Sequence, residues 1–295
     1  MRFLASSIER MGCQTVVLAP ERSRVPAAFR RICSDDSLHE ILIASMQRMR
    51  GGAYVYDGAI SRSELTDDGR HRQRIDTYSW HLLTLNRSGI VCGCARMRLH
   101  EDEVSFADLG VRNVPLAQSP EWSVRLRRAV ESELAEARRK RLWYAEVGGW
   151  AINSDRRGTV DALGTVLAVY ALAELLGGAL MIGTATKRHN SAPILRRIGA
   201  RPLVFDEVEF PSYYDPAYGC EMEILRFDSA NPRPAYMSWL AEIRERMAGV
   251  PVICPSQTVS RAVPEGFSVA TSSSRLRAPA PATTAELSMR QASAG

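Results

Sequence analysis

Residues 146–177, EVGGWAINSDRRGTVDALGTVLAVYALAELLG, decide how this chain is built. A β-type run is interrupted by Gly148 and Gly149, then passes through Asn153-Ser154-Asp155-Arg156-Arg157-Gly158 into a segment that is apolar nearly all round. Glycines inside a strand weaken it, and they mark a bulge or the close approach of another backbone-like group. The segment that follows is long enough, and apolar enough, for a buried helix. A helix start offers free N–H groups and a partial positive charge, which suits an anion. Arg156 and Arg157 add charge there, and Gly158 lets the main chain come close. An equally simple account is a surface turn with solvated arginines beside a Gly–Gly packing contact.

The flanking sequence alternates strands and helices. CQTVVLAP (13–20) reads as a strand ended by proline. SDDSLHEILIASMQRM reads as an amphipathic helix with Ser37 and Glu40 at capping-box spacing and a stripe of Leu38, Ile41, Leu42, Met46 and Met49. Residues 51–75, rich in Gly, Asp and Arg, read as a loop. SWHLLTLN and GIVCGCARMRL, joined by Asn86-Arg87-Ser88-Gly89, form a hairpin. SPEWSVRLRRAVESELAEARRKR is a helix with a charged face, WYAEVGGWAI a strand, and ALMIGTAT another. A short helix SAPILRRIG, a late strand GCEMEILRF and a helix PAYMSWLAEIRERMAG complete the order. From about Pro255 the composition turns to Ser, Thr, Ala and Pro, the signature of disorder. The expectation is an α/β fold with a mixed central sheet flanked by helices, one domain over 1–254, and a disordered tail over 255–295.

Composition narrows the function classes. The chain has 295 residues, is 45% apolar and carries a formal net charge of +5, concentrated in RLRRAV, ARRKR, DRRG and LRRIGAR. Such clusters suit phosphorylated ligands or acidic partners, whereas zinc-finger, helix-turn-helix and aromatic-interleaved basic signals are missing, which ranks nucleic acid low. No apolar run reaches the length of a membrane helix, and MRFLASSIERMGCQ lacks the features of a signal peptide. The six cysteines lie scattered, and the single close pair, Cys92 and Cys94, has no matching second pair. Reduced thiols, no metal site and a cytoplasmic location are expected.

An amide-rich ligand ending in phosphate could lie along the opened strand with its phosphate at the helix start, a composition that matches phosphopantetheine. A second segment, TKRHNSAPILRRIGARPL, places Asn190 at the head of a short helix and Gly199 at its end. Strand, basic Gly-containing turn, buried helix, strand, then N-x-A…G-A resembles the GCN5-related N-acyltransferase superfamily. The turn reads RRGTVDA rather than R-x-x-G-x-G or R-x-x-G-x-A, and Leu195 stands near where many members carry a tyrosine that protonates the departing thiolate. SWHLLTLNRSGIVCGCARM further resembles the hairpin of acyl-homoserine-lactone synthases and long-chain N-acyl amino acid synthases. On that match Arg96 corresponds to the arginine after the hairpin, Asp76 to an acidic residue before it, and Glu146 to the glutamate on the fourth strand. The lactone synthases continue that glutamate as E-x-S-R, whereas this chain continues it as Val147-Gly148-Gly149, which favours the N-acyl amino acid synthase comparison. An Arg-x-x-Tyr/Phe element would involve Arg48 or Arg50 with Tyr54 or Tyr56.

The resemblance implies acyl transfer from an acyl-CoA, or from the phosphopantetheine of acyl carrier protein, to a small amine or amino acid. Glu146 is the candidate base for the acceptor ammonium, or else an arginine partner. Arg96 is a candidate for the acceptor carboxylate or a strand-end salt bridge. Main-chain groups of Val147, Gly148 and Gly149 are expected along the thioester arm, with Arg156, Arg157 and Gly158 at its phosphate and Asn190 capping its helix or bonding the arm. His81 is expected in the core or at the surface. Basic clusters at Arg125–Arg128 and Arg138–Arg141 suit an acidic carrier, or are the solvated side of one helix. An acetyl-CoA-dependent N-acetyltransferase and a non-catalytic thioester-binding protein remain as alternatives.

Overall fold

A computed structural model describes residues 13–157 and 160–256. Along β1 (Gln14–Leu18), Val16, Val17 and Leu18 are all buried, so the strand must be covered on both faces. Helices supply the cover. On one face, Leu42 and Met46 of α1 (Asp36–Tyr56) pack with Val16, Leu18 and Cys94. On the same face, Leu126, Val130 and Leu134 of α2 (Ser123–Lys140) pack with Tyr144, Leu180 and Ile182. On the other face, Val17, Leu82, Ala95 and Ala145 meet Leu167 and Tyr170 of α3 (Val160–Leu175) and Ile198 of α4 (Ser191–Ile198). Leu240 of α5 (Met237–Met247) completes that layer.

The sheet between these layers takes its remaining strands from β2 (Arg31–Ser34) to β12 (Pro251–Cys254). The strands β3 (Trp80–Leu85) and β4 (Val91–His100) form the expected hairpin, β5 (Trp143–Ile152) follows, and β6 (Ala179–Thr186) lies beyond it. The order is β10-β11-β6-β5-β4-β3-β1-β12-β2, with β10 at Tyr213–Asp215 and β11 at Cys220–Asp228. The two-residue β7 (Arg201–Pro202) also pairs with β11, while β8 (Val204–Phe205) and β9 (Val208–Glu209) form a separate hairpin. Parallel pairing joins β5 to β6 and β12 to both β1 and β2; the other pairings are antiparallel.

Two details of β5 prepare the site. The β5–β6 ladder runs from Trp143↔Ala179 to Glu146↔Ile182 and stops there, four residues before β6 ends. Gly183 is the last point of close approach: a Cβ on it would lie 2.6 Å from the Val147 carbonyl oxygen, so no side chain fits. Beyond it the strands part. On the β4 side, Arg96 pairs with Gly148 and Cys94 with Ala151, so two residues of β5 oppose Ala95 alone. Gly149 supplies the left-handed φ of +61° that this bulge needs. The paired glycines therefore bend β5 away from β6.

Several sequence expectations are corrected. The residue capping α1 is Asp35, whose carboxylate accepts from Leu38 N at 2.9 Å, not Ser37. The helix runs through Gly51 and Gly52 to Tyr56, so residues 51–56 are not loop. A Cβ on Gly51 would stand 2.9 Å from Leu65, and this close packing of the following segment outweighs the low helix propensity of glycine. Ile41 of the expected stripe is 56% exposed, while Arg50 and Gln47 are buried. The short strands β2 and β12 were not foreseen. The tail from Gln257 onward lies outside the described residues.

Candidate active site

The parted strands open into a cavity of about 610 Å³. Arg96 and Glu146 line it from the face carrying α1 and α2, whereas Ala95, Val166, Tyr170 and Phe227 line it from the face carrying α3. A single cavity bounded by residues of both sheet faces must pass through the sheet, and the gap beside Val147, Gly148 and Gly149 is where it does so. Its lining is polar on the face carrying α1 and α2, the mouth, and apolar on the face carrying α3, the arm.

At the mouth, Glu146 is held by two donors. Gly110 N donates to Oε1 at 2.6 Å, and His100 Nε2 donates to Oε2 at 3.0 Å. Arg98 stands 4.0 Å from the same carboxylate. Alternation along β4 puts Arg96, Arg98 and His100 on one face, and antiparallel pairing sets Arg98 directly across from Glu146. The carboxylate is thus anchored through both oxygens and borders the cavity.

Below the mouth lies a buried charge network. Arg50, fully buried, donates to both oxygens of Asp76 at 2.9 and 2.8 Å and to His71 O at 2.6 Å. Gln47 also donates to Asp76, at 3.0 Å. Arg96 Nη1 bonds Gln73 Oε1 at 2.6 Å and Asp76 Oδ1 at 3.2 Å. Burial alone would raise the Asp76 pKa, but the Arg50 hydrogen bonds and charge hold its carboxyl well below the usual carboxylate range. Of the residues offered for the Arg-x-x-Tyr/Phe element, Tyr54 lines the cavity and Arg50 is buried against Asp76, whereas Arg48 pairs with Asp68 at the surface and Tyr56 is 74% exposed.

His81 borders this network, buried in β3 opposite Arg96, with its Nε2 donating to Asp76 O at 2.8 Å. Burial pushes its pKa down to about 4, with Arg96 and Arg50 adding to the effect against the pull of Asp76. A histidine that ionises near 6.5 unfolded but near 4 folded takes up its proton preferentially in the unfolded chain. Stability is therefore full above pH 6.5 and is lost as pH falls toward 4, by about 3 kcal/mol at roughly 1.4 kcal/mol per unit. Urea titrations at pH 7 and pH 4.5 are expected to show that loss in the wild type and a flatter profile in His81→Gln; equal slopes would remove His81 as the cause.

The other expected site residues fall into two groups. Val147, Gly148 and Gly149 line the cavity with Glu146 and Arg96. Arg156 and Arg157 do not. Arg157 forms an ion pair with Asp57, its guanidinium 5.2 Å from the centre of the Tyr56 ring, and Arg156 Nη1 donates to Cys13 Sγ. Gly158 lies outside the described residues. Asn190 precedes α4 with a left-handed φ of +60° and makes no side-chain cap bond; it is exposed, while its neighbours Ser191 and Leu195 reach the cavity.

Arg188, which sequence reading passed over, lines the cavity and donates to Asp57 O at 2.7 Å and Gly219 O at 2.6 Å. Its place in the basic turn TKRHN was the available signal. His100 and Gly110 carried none, because their role depends on contacts across 46 and 36 residues. Among the described residues no two cysteines are joined in a disulfide, and no group of His, Cys, Asp and Glu is arranged to hold a metal.

No family model and no curated protein sequence matches the chain. Solved structures do. BjaI, a CoA-dependent acyl-homoserine lactone synthase solved with SAM and isopentyl-CoA, aligns with a TM-score of 0.51 at 14% identity over 85% of this chain and 96% of its own. TofI, in a ternary complex with an inhibitor and MTA, gives 0.45 at 16% identity over 73% and 91%. FeeM, an N-acyl amino acid synthase from uncultured soil microbes, gives 0.41 at 13% identity over 75% and 93%. The chain shares the fold of BjaI, and the mixed central sheet flanked by helices is the one expected from its sequence. Among the described residues no helix is long and apolar enough to cross a membrane.

Proposed function

We propose that this chain is an N-acyltransferase that moves a long-chain acyl group from a thioester, acyl carrier protein or acyl-CoA, to the amine of an amino acid or similar small acceptor. The observation that carries the proposal is the cavity through the sheet: a polar mouth at Glu146 and Arg96 leads past an opened strand edge into an apolar arm. The volume lies in the range that buries an organic ligand and exceeds what an acetyl group needs. The apolar arm favours a long chain over acetyl transfer.

In this reading the acceptor enters at the mouth, with its carboxylate on the part of the Arg96 guanidinium that faces the cavity. Glu146 takes a proton from the ammonium, directly or through water, and the freed amine attacks the thioester carbonyl. A C–N bond forms, and the charge on the carbonyl oxygen is met by main-chain N–H groups at the gap among residues 147–149. Collapse breaks the C–S bond. The nitrogen sheds its second proton as the thiolate leaves; the thiolate takes up one of the two protons and the other passes to water, so thioester and ammonium become amide, thiol and a released proton. Leu195, which borders the cavity, offers no proton for that step. The exposed bases Arg125, Arg128, Arg139 and Arg141 on and beside α2 suit an acidic carrier protein, through an attraction that weakens as salt rises.

The test is lipid mass spectrometry of cells producing the protein, beside cells carrying the empty vector. New N-acyl amino acids are the expected result and would name both acyl length and acceptor. Their absence, in cells where the folded protein accumulates, would sink the proposal.

A further inference from the structure

Two of the cavity's polar atoms have no hydrogen-bond partner among the described residues although both are buried: Trp150 Nε1 and the Tyr170 hydroxyl. Such groups are costly to leave unsatisfied, so each calls for an explanation. Their positions differ. Trp150 follows the Gly149 bulge, at the open end of the gap, where a carrier arm has amide carbonyls to offer. Tyr170 is 1% exposed and lies on the α3 face of the sheet. Its ring packs edge-on against Phe227 at 6.1 Å between centroids. Phe227 pairs with Met181, and Met181 with Ala145, one step before the β5–β6 ladder ends. Tyr170 therefore stands at the closed end of the gap and across the sheet from Glu146.

We infer that the acyl chain carries an oxygen, as a hydroxyl or keto group, on the stretch that lies beyond the sheet, and that Tyr170 is the residue that reads it. This rests on the acyl-transfer reading of the cavity. A plain alkyl chain would bury the phenol against methylenes and leave it without a partner; an oxygenated chain satisfies it. Sites built around a buried hydrogen-bonding group discriminate against ligands that lack the matching atom. Burial pushes the Tyr170 pKa up, which keeps the phenol protonated and able to donate.

The test uses calorimetric binding of dodecanoic acid and of hydroxydodecanoic acids with the hydroxyl at successive carbons, on the full chain and on Tyr170→Phe. One or two adjacent isomers are expected to bind the wild type at least tenfold tighter than the plain acid. Tyr170→Phe is expected to lose that preference, to bind the plain acid as well or better, and to melt no lower than the wild type. A wild type indifferent to the hydroxyl, or a preference that survives in Tyr170→Phe, would overturn the role of Tyr170 while leaving acyl transfer intact. Failure of every acid to bind would instead reject the cavity as an acyl slot, and this inference with it.

Discussion

Glu146→Gln is expected to lower the rate of amide formation by about 10²–10⁴-fold, the usual contribution of a positioned general base. The substitution preserves shape. Its amide oxygen can still accept from Gly110 N or His100 Nε2, so the local structure survives while the basic oxygen is lost. Loss should appear in kcat, with the KM for the thioester little changed, because Glu146 lies at the mouth and the acyl chain in the arm beyond. Steady-state assays with acyl-CoA and a panel of amino acids, at matched thermal stability, decide the matter. Full activity in Glu146→Gln would show that the acceptor loses its proton elsewhere, and the carboxylate would then be a structural partner of His100 and Gly110.

The second large effect is on stability. Asp76→Ala would leave Arg50, with no exposed surface, facing Arg96 without the carboxylate that now bonds both. Removing one partner of a buried pair typically costs about 3–5 kcal/mol, a large share of the roughly 5–15 kcal/mol that holds a domain together. Replacing both partners, as in Arg50→Met/Asp76→Leu, should cost less, because the fully buried guanidinium is removed with the carboxylate and Arg96, 14% exposed, keeps its bond to Gln73. Urea unfolding of Arg50→Met, Asp76→Leu and the double variant forms a cycle whose expected coupling exceeds about 2 kcal/mol. Additive losses would mean that water reaches the network and that the pair is not the clamp its geometry implies. Activity of any double variant that folds should also fall, since Asp76 helps to aim Arg96 at the mouth.

Much of the frame was legible because it is local. Two β-type runs joined by Asn86-Arg87-Ser88-Gly89 set the β3–β4 hairpin, the length and apolarity of residues 160–175 set α3, and Gly148-Gly149 marked the bulge that bends β5. A resemblance of motifs then pointed to the fold. Glu146 and Arg96 could be named as candidates from their places on those strands.

What the sequence could not determine was the set of contacts made at long range. Charged residues read as solvent-facing, so nothing local distinguishes buried Arg50 from exposed Arg48, two residues away on the same helix; Asp76, 26 residues on, makes the difference. In the same way the sequence leaves Arg156 and Arg157 between a ligand and solvent, whereas the tertiary structure pairs Arg157 with Asp57, 100 residues earlier. Strands β2 and β12 are four residues each and become a sheet edge through pairing with one another and with β1. The cavity itself belongs to no segment. It exists because two strands part just where the glycines relieve the ladder, and only the packed sheet places the apolar arm behind that gap.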